Sequence, residues 1–108
     1  MHKKEIKNFL NQYVIEFKKL NIGVDSIILF GSQARGTATI SSDIDIAVVM
    51  NKNLSARERG EIICLGDEIN DEYSTNVFFT TKQALTNPSG IFDTNKYIKE
   101  EGVVLWQS

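Results

Sequence analysis

Apolar residues recur at helical spacing over the first twenty positions. Ile6, Phe9, Leu10, Tyr13, Val14, Phe17 and Leu20 fall every three or four residues, with Lys, Glu, Asn and Gln between them. This spacing predicts a long amphipathic helix ending near Asn21, with Gly23 placed to turn the chain. Aromatic residues on such a stripe belong to a core, not to a base-stacking platform. The period then changes. Val24 to Phe30 reads Val-Asp-Ser-Ile-Ile-Leu-Phe, a β-branched apolar run that stops at a glycine and predicts a buried strand. Residues 31–36 leave that strand in a short helical turn, and residues 37–42 form a hydroxyl-rich loop. Ile44 to Met50 predicts a second strand, broken by Asn51-Lys52-Asn53.

Ser55 followed three residues later by Glu58 matches a helix capping box. The helix it opens is expected to turn Ile62, Ile63, Leu65, Ile69 and Tyr73 inward and an acidic face of Glu68, Asp71 and Glu72 outward. Residues 75–80 predict a third strand. Thr81 is placed to cap a short helix through Leu85, and Asn87-Pro88-Ser89-Gly90 is a loop. Asp93 or Thr94 caps a last short helix containing Tyr97 and Ile98, which ends at Gly102. The apolar tail Val103-Val104-Leu105-Trp106 then adds an edge strand or packs on the core. This order predicts an α+β fold, a small mixed sheet of three to four strands covered by helices, with residues 1–108 as a single domain.

Composition narrows the function classes. A chain of 108 residues supports one hydrophobic core and not two. Fourteen acidic against twelve basic residues leave a net charge of −2, which gives no broad electrostatic footprint for nucleic acid. Extensive nucleic-acid binding is therefore not expected as a main role. The single cysteine, Cys64, lies in an apolar run and is expected to be a buried structural thiol, compatible with a reducing cytoplasm. His2 falls outside the periodic segment and is expected to fray. The N-terminus leads into a charged amphipathic pattern and not a signal sequence. No apolar run approaches the ~20 residues of a membrane helix, so the expectation is a soluble, cytoplasmic protein without a membrane role.

The candidate chemistry sits between the first two strands. Phe30-Gly31-Ser32-Gln33-Ala34-Arg35-Gly36 puts a glycine turn directly after a strand, and Ser42-Asp43-Ile44-Asp45-Ile46 opens the next one. Alternation sends Asp43 and Asp45 to one face of that strand. Two carboxylates so close repel unless a cation lies between them, and magnesium suits the pair because it takes hard oxygens and completes its shell with water and phosphate. Gly31 allows close backbone approach, and Ser32 offers a hydroxyl and an N–H to phosphate oxygens. Arg35, one turn on, is placed to add a fixed charge, and Thr37, Ser41 and Ser42 to line the rim. Asp45 lies between isoleucines within a strand, where aspartate is disfavoured. An acid set against its own propensity points to function. Either half of the pattern alone is weak, but four fixed residues at one fixed spacing arise by chance roughly once in a thousand chains of this size.

Gly31-Ser32, ten intervening residues and Asp43-Ile44-Asp45, with Ala34-Arg35-Gly36 in the gap, resemble the signature of the DNA polymerase β-type nucleotidyltransferase superfamily. The resemblance is closest to its minimal nucleotidyltransferases, often encoded beside a helical HEPN partner in toxin–antitoxin systems, and it extends to the tail from Tyr97 to Leu105. It implies transfer of a nucleoside monophosphate from a triphosphate, foremost ATP, to a hydroxyl, with release of pyrophosphate. It also implies that Gly31 and Ser32 hold the triphosphate, with Arg35 and Ser42 beside them, and that Asp43 and Asp45 are catalytic and ligate magnesium. The acceptor would be presented by a HEPN-like protein or a second copy of the chain.

The pattern departs from the family in one place. The family supplies a third carboxylate from the next strand, and alignment through Thr81-Lys82-Gln83-Ala84-Leu85 puts that position at Phe78. Asn76 and Thr80 share its face, and no acid occurs between Glu72 and Asp93. Asp71 or Glu72 would serve only if the strand began earlier. Two classes of function follow: a magnesium-dependent nucleotidyltransferase, or a catalytically weakened nucleotide-binding, antitoxin-like module that acts through a partner. An exposed apolar patch on the last helix and tail would favour a partner-binding role.

Overall fold

The computed structural model describes residues 5–39 and 42–108 in full and the backbone of Lys3 and Lys4; His2 and Ser41 lie outside the described residues. Helix α1 (Lys3–Leu20) leads into β1 (Val24–Phe30), which passes directly into the one-turn helix α2 (Gly31–Arg35). Strand β2 (Ile44–Met50) returns antiparallel to β1. Helix α3 (Ala56–Ile69) then crosses over to β3 (Thr75–Thr81), which runs parallel to β2, as a pair joined by a helical crossover must. Two short helices, α4 (Lys82–Thr86) and α5 (Thr94–Glu101), precede β4 (Val103–Gln107), which pairs antiparallel with β1. The sheet order is β3-β2-β1-β4, so the tail forms an edge strand while Leu105 and Trp106 also pack on the core.

The two faces of the sheet differ in kind. On one, Ile27 and Leu29 of β1, Ile44, Ile46 and Val48 of β2, and Val77 and Phe79 of β3 meet α1 and α3. Ile6, Phe9, Leu10, Tyr13 and Phe17 form the α1 side of this core, and Ile62 and Leu65 the α3 side. On the other face Asp45, Ala47 and Val49 of β2 lie beside Asn76, Phe78 and Thr80 of β3, by the two-residue alternation of strands. Helix α5 covers the far end of this second face, where the hydroxyl of Thr80 donates to the side-chain oxygen of buried Asn95. Ala47, Val49 and Thr80 are buried there, whereas Asp43 and Asn76 are exposed. The polar end of the face is thus the part left open.

Helix boundaries follow their caps. Ser55 and Glu58 form the reciprocal capping box, with Glu58 N–H donating to Ser55 Oγ at 3.1 Å and Ser55 N–H to Glu58 Oε1 at 2.9 Å. Thr81 caps α4 through Ala84 N–H, and Asp93, not Thr94, caps α5. The turn after α1 is made by Asn21, which adopts φ 51°, whereas Gly23 stays out of the left-handed region; asparagine is a residue that tolerates this conformation. Two inward assignments on α3 are corrected. Ile63 and Cys64 are exposed, because a step of ~100° per residue from buried Ile62 turns both away from the face shared by Ile62, Leu65 and Gly66. Tyr73 does reach inward, edge-on to Phe9 at 4.8 Å between centroids. Among the described residues no helix is long and apolar enough to cross a membrane.

The loop before α5 is braced by one carboxylate. Asp93 Oδ2 accepts from Ser89 N–H at 2.9 Å and Ser89 Oγ at 3.0 Å, and Oδ1 accepts from Asn95 N–H at 3.0 Å and Asn95 Nδ2 at 2.9 Å. These donors, the Ser89 N–H foremost and the Asn95 N–H next, favour the charged form and hold the carboxyl down at about 2, against an ordinary 3.8. A depressed carboxylate stabilises the fold above its ordinary value and loses that contribution as pH falls through the folded one. The amide resonances of Ser89 and Asn95 are accordingly expected to titrate with a midpoint at about 2, and the transition to vanish in Asp93→Asn. A midpoint at the ordinary 3.8 would show that the brace does not form.

Candidate active site

The site begins where β1 ends. Phe30 pairs with Asp45 across the β1–β2 ladder, so the chain turns into α2 at the level of that carboxylate. Gly31 takes φ +75° at the turn, a conformation that costs glycine little. Its Cα also faces Asp45 so closely that a Cβ would collide with Oδ2 and lie 3.0 Å from Cγ. Glycine is thus required twice, by its φ and by the approach of backbone to carboxylate. Helix α2 closes after a single turn. Gly36, at φ 76°, donates its N–H to the Ser32 carbonyl, and Thr37 N–H reaches the same oxygen at 3.0 Å. Ser32 is half-buried on the first turn, next to Gly31.

Asp43 and Asp45 converge as alternation requires, and a third side chain joins them. Asn76 Nδ2 donates to Asp43 Oδ2 at 3.0 Å and to Asp45 Oδ1 at 3.2 Å. The parallel register pairs Asp45 with Asn76 and Ala47 with Phe78. The β3 residue that reaches both aspartates is therefore Asn76, while Phe78, the position expected to match the family's third carboxylate, pairs with Ala47 one strand repeat further on. Strand β3 begins at Thr75, while Glu72 is exposed in the preceding turn with its N–H on Asn70 Oδ1, so neither Glu72 nor Asp71 enters as a strand residue. Asn76 carried the same signal that marked Asp45, a small polar side chain inside a strand where its type is disfavoured.

The remaining predicted residues sit around this centre with partners of their own. Arg35 Nη1 donates to Glu101 Oε1 at 2.8 Å, tying the end of α2 to the end of α5. A phosphate reaching Arg35 would share the guanidinium with that carboxylate or displace it. No feature of Glu101 singled it out in the sequence, since its partner is 66 positions away. Ser42 Oγ accepts from Thr39 N–H at 2.8 Å, and Ser42 N–H donates to the Thr39 carbonyl at 3.0 Å. Its hydroxyl thereby closes the loop that delivers Asp43 to β2. Thr37 is exposed beside Gly36. A separate cleft of about 500 Å³ opens between α1, α2 and β4, and neither carboxylate lines it.

The donor set suits one hard cation. Both carboxylates present an oxygen within 3.2 Å of a single point, the Asn76 nitrogen. Oxygen-preferring magnesium takes such a pair and leaves its other positions to water and phosphate. Among the described residues no third His, Cys, Asp or Glu completes a cluster.

The close approach at Gly31 makes a direct prediction. Gly31→Ala forces a non-glycine residue to positive φ, a strain of about 1–3 kcal/mol, and pushes Asp45 aside. It is expected to lower the unfolding free energy in urea and to weaken nucleotide binding by more than about tenfold. Gly60→Ala serves as the control, because its Cβ would meet nothing within 4 Å and the change favours the helix. Equal binding by wild type and Gly31→Ala would remove Gly31 from the site.

Comparison with known proteins follows the same outline. The family model described as nucleotidyltransferase domain matches residues 6–105. A protein of Methanocaldococcus jannaschii, whose name assigns it provisionally to the protein adenylyltransferases, is 45% identical over 58 residues, which are 53% of this chain and 39% of that protein. The match thus spans about two fifths of that relative's length. A chain of a toxin–antitoxin complex crystallised with AMP-PNP superposes with a TM-score of 0.65 at 26% identity, over 90% of this chain and 73% of that one. A chain of the Shewanella oneidensis complex between a tri-AMPylated HEPN toxin and an MNT antitoxin shares the fold, with a TM-score of 0.63 at 19% identity over 94% and 72% of the two chains. With the family pattern matched across residues 6–105, this chain belongs to the nucleotidyltransferase domain family.

Proposed function

We propose that the chain binds a magnesium-bound nucleoside triphosphate, ATP foremost, and transfers its nucleoside monophosphate to a hydroxyl on a protein partner. The observation that carries this reading is the convergence of Asp43 and Asp45 on Asn76, with Asp45 set against the backbone of Gly31. Gly31 and Ser32 border the triphosphate, and the two aspartates hold magnesium. Bound there, magnesium would neutralise charge on the phosphates and orient them for in-line displacement. The acceptor oxygen forms its bond to the α-phosphorus as the bond to the pyrophosphate oxygen breaks. Among the described residues Asp43 and Asp45 are the carboxylates gathered at this site, with no third acid to take the hydroxyl proton, so slow transfer is expected. Adenine is supported by the 26%-identical neighbour crystallised with AMP-PNP and by the name of the archaeal relative.

A protein acceptor is supported by what the second half of the chain displays. Ile91 and Phe92 of the braced loop are 64% and 89% exposed, and Tyr97, Val103 and Val104 are exposed on α5 and β4. Large apolar side chains held out on ordered backbone are the usual anchors of protein–protein contacts. The partner would be a HEPN-like helical protein, as in the fold relative from Shewanella, or a second copy of this chain, in the cytoplasm where ATP is abundant. A second reading has its own observation. The β3 side chain that reaches both aspartates, Asn76, is neutral, and among the described residues no third acid joins the pair, which favours a nucleotide-binding, antitoxin-like module of weakened activity.

One experiment separates the two. A HEPN-like helical protein, taken from the reading frame beside this chain where one is encoded, is mixed with it, magnesium and ATP, and the partner is read by intact-mass spectrometry. A nucleotidyl adduct that disappears in Asp43→Asn establishes the transferase. Magnesium-dependent ATP binding without an adduct establishes the binding module, and failure to bind ATP removes both.

A further inference from the structure

Asn76 answers to two carboxylates at once. One amide nitrogen carries two hydrogens, and here each has its own acceptor, Asp43 Oδ2 at 3.0 Å and Asp45 Oδ1 at 3.2 Å. An amide oxygen in the same place would face two negative groups, so the nitrogen is the end that points inward against the charged pair. The last torsion of asparagine is broad and soft, and half a turn about it exchanges the donor for a neutral oxygen. That oxygen is a ligand type that hard cations accept. The same side chain therefore fits the site in both of its charge states.

We propose that Asn76 is a reversible neutral member of this site: its N–H groups clamp Asp43 and Asp45 when no cation is present, its oxygen turns inward when one is, and the site holds a single divalent ion. This rests on the reading of the two aspartates as a cation site under the proposed function. A carboxylate at position 76 would add charge for a second ion, but would leave three like charges on one open face without metal. The amide trades that second ion for a site that stays ordered when empty. It also accounts for why the β3 position facing the two aspartates is asparagine and not an apolar strand former. An apolar residue would leave the repulsion between Asp43 and Asp45 without any compensating donor.

The test reads stability and metal count as well as chemistry. Wild type, Asn76→Leu and Asn76→Asp are melted in EDTA and again in Mn²⁺, without nucleotide. Both variants are expected to melt about 4 °C or more below wild type in EDTA and to regain more than wild type does when Mn²⁺ is added. A side chain that merely fills space would give a deficit indifferent to Mn²⁺. Bound Mn²⁺ is then counted by electron paramagnetic resonance in the presence of AMP-PNP, with one ion expected per wild-type chain and two per Asn76→Asp chain. In wild type, the side-chain N–H₂ resonances of Asn76 are expected to shift on titration with Mg²⁺. Two ions per wild-type chain, or variants that melt with wild type in EDTA, would overturn the proposal. The melts contain no nucleotide, so they decide on Asn76 even if AMP-PNP fails to bind.

Discussion

Asp45 is paired on both sides of its strand, with Phe30 on β1 and with Asn76 on β3. Every feature of the site depends on those two registers. The antiparallel pair brings the β1–α2 turn level with the carboxylate, which is why Gly31 must be glycine. The parallel pair brings Asn76 within hydrogen-bond distance of both aspartates. A slip of one residue in either ladder would turn the carboxylates onto the face occupied by Ile44, Ile46 and Val48. The apolar residues between the acids are what forbid that slip. Ile44 and Ile46 are fully buried against α1 and α3, and exchanging them for two aspartates would bury unpaired charge. The core therefore fixes the chemistry, since the strand that carries the acids is locked by the isoleucines interleaved with them.

The second face of the sheet is graded along its length. At one end Thr80, Asn95, Asp93 and Ser89 form a hydrogen-bonded chain from β3 through the start of α5 to the preceding loop. At the other end the carboxylates are left open. The Arg35–Glu101 pair links the far end of α5 to α2, beside the site. Half-exposed ion pairs contribute about 0–1 kcal/mol, so this one orients the two helices more than it stabilises them. Helix α5 is thus tied at its start to the floor of the sheet and at its end to the helix that follows Gly31. Ile91, Phe92 and Tyr97, which α5 and its loop display, are carried on the same frame as the site.

The strands and helices were readable from the sequence because hydrophobic period, caps and glycines agreed with one another. Val24–Phe30 and Ile44–Met50 are mainly apolar runs rich in β-branched residues, and their bounds match the observed strands. Ser55 with Glu58 announced α3 to the residue. Where a short apolar cluster outran the helical face, the reading failed. Ile63 and Cys64 lie next to buried positions in sequence but around the helix in space. The turn at Asn21 was assigned to glycine because glycine is the commoner left-handed residue, and asparagine supplied the conformation instead. Asp45 was legible as a site residue because it sits inside a strand against its propensity, with Asp43 two positions before it. Asn76 carried the same signal, but its role, like that of Glu101, comes only from partners on other elements. No local pattern encodes the register that sets β3 beside β2, and the alignment through α4 pointed to Phe78, whereas Asn76 is the β3 residue that reaches both aspartates.

The central claim is that Asp45, set against Gly31 by these registers, and Asp43 beside it form one magnesium–nucleotide site. Calorimetric titration of the chain with AMP-PNP tests it most directly. The account predicts binding of one nucleotide per chain that requires magnesium and is lost in Asp45→Asn, a near-isosteric change that leaves both strand ladders in place. Nucleotide binding that persists in EDTA, or that is unchanged in Asp45→Asn, would contradict it.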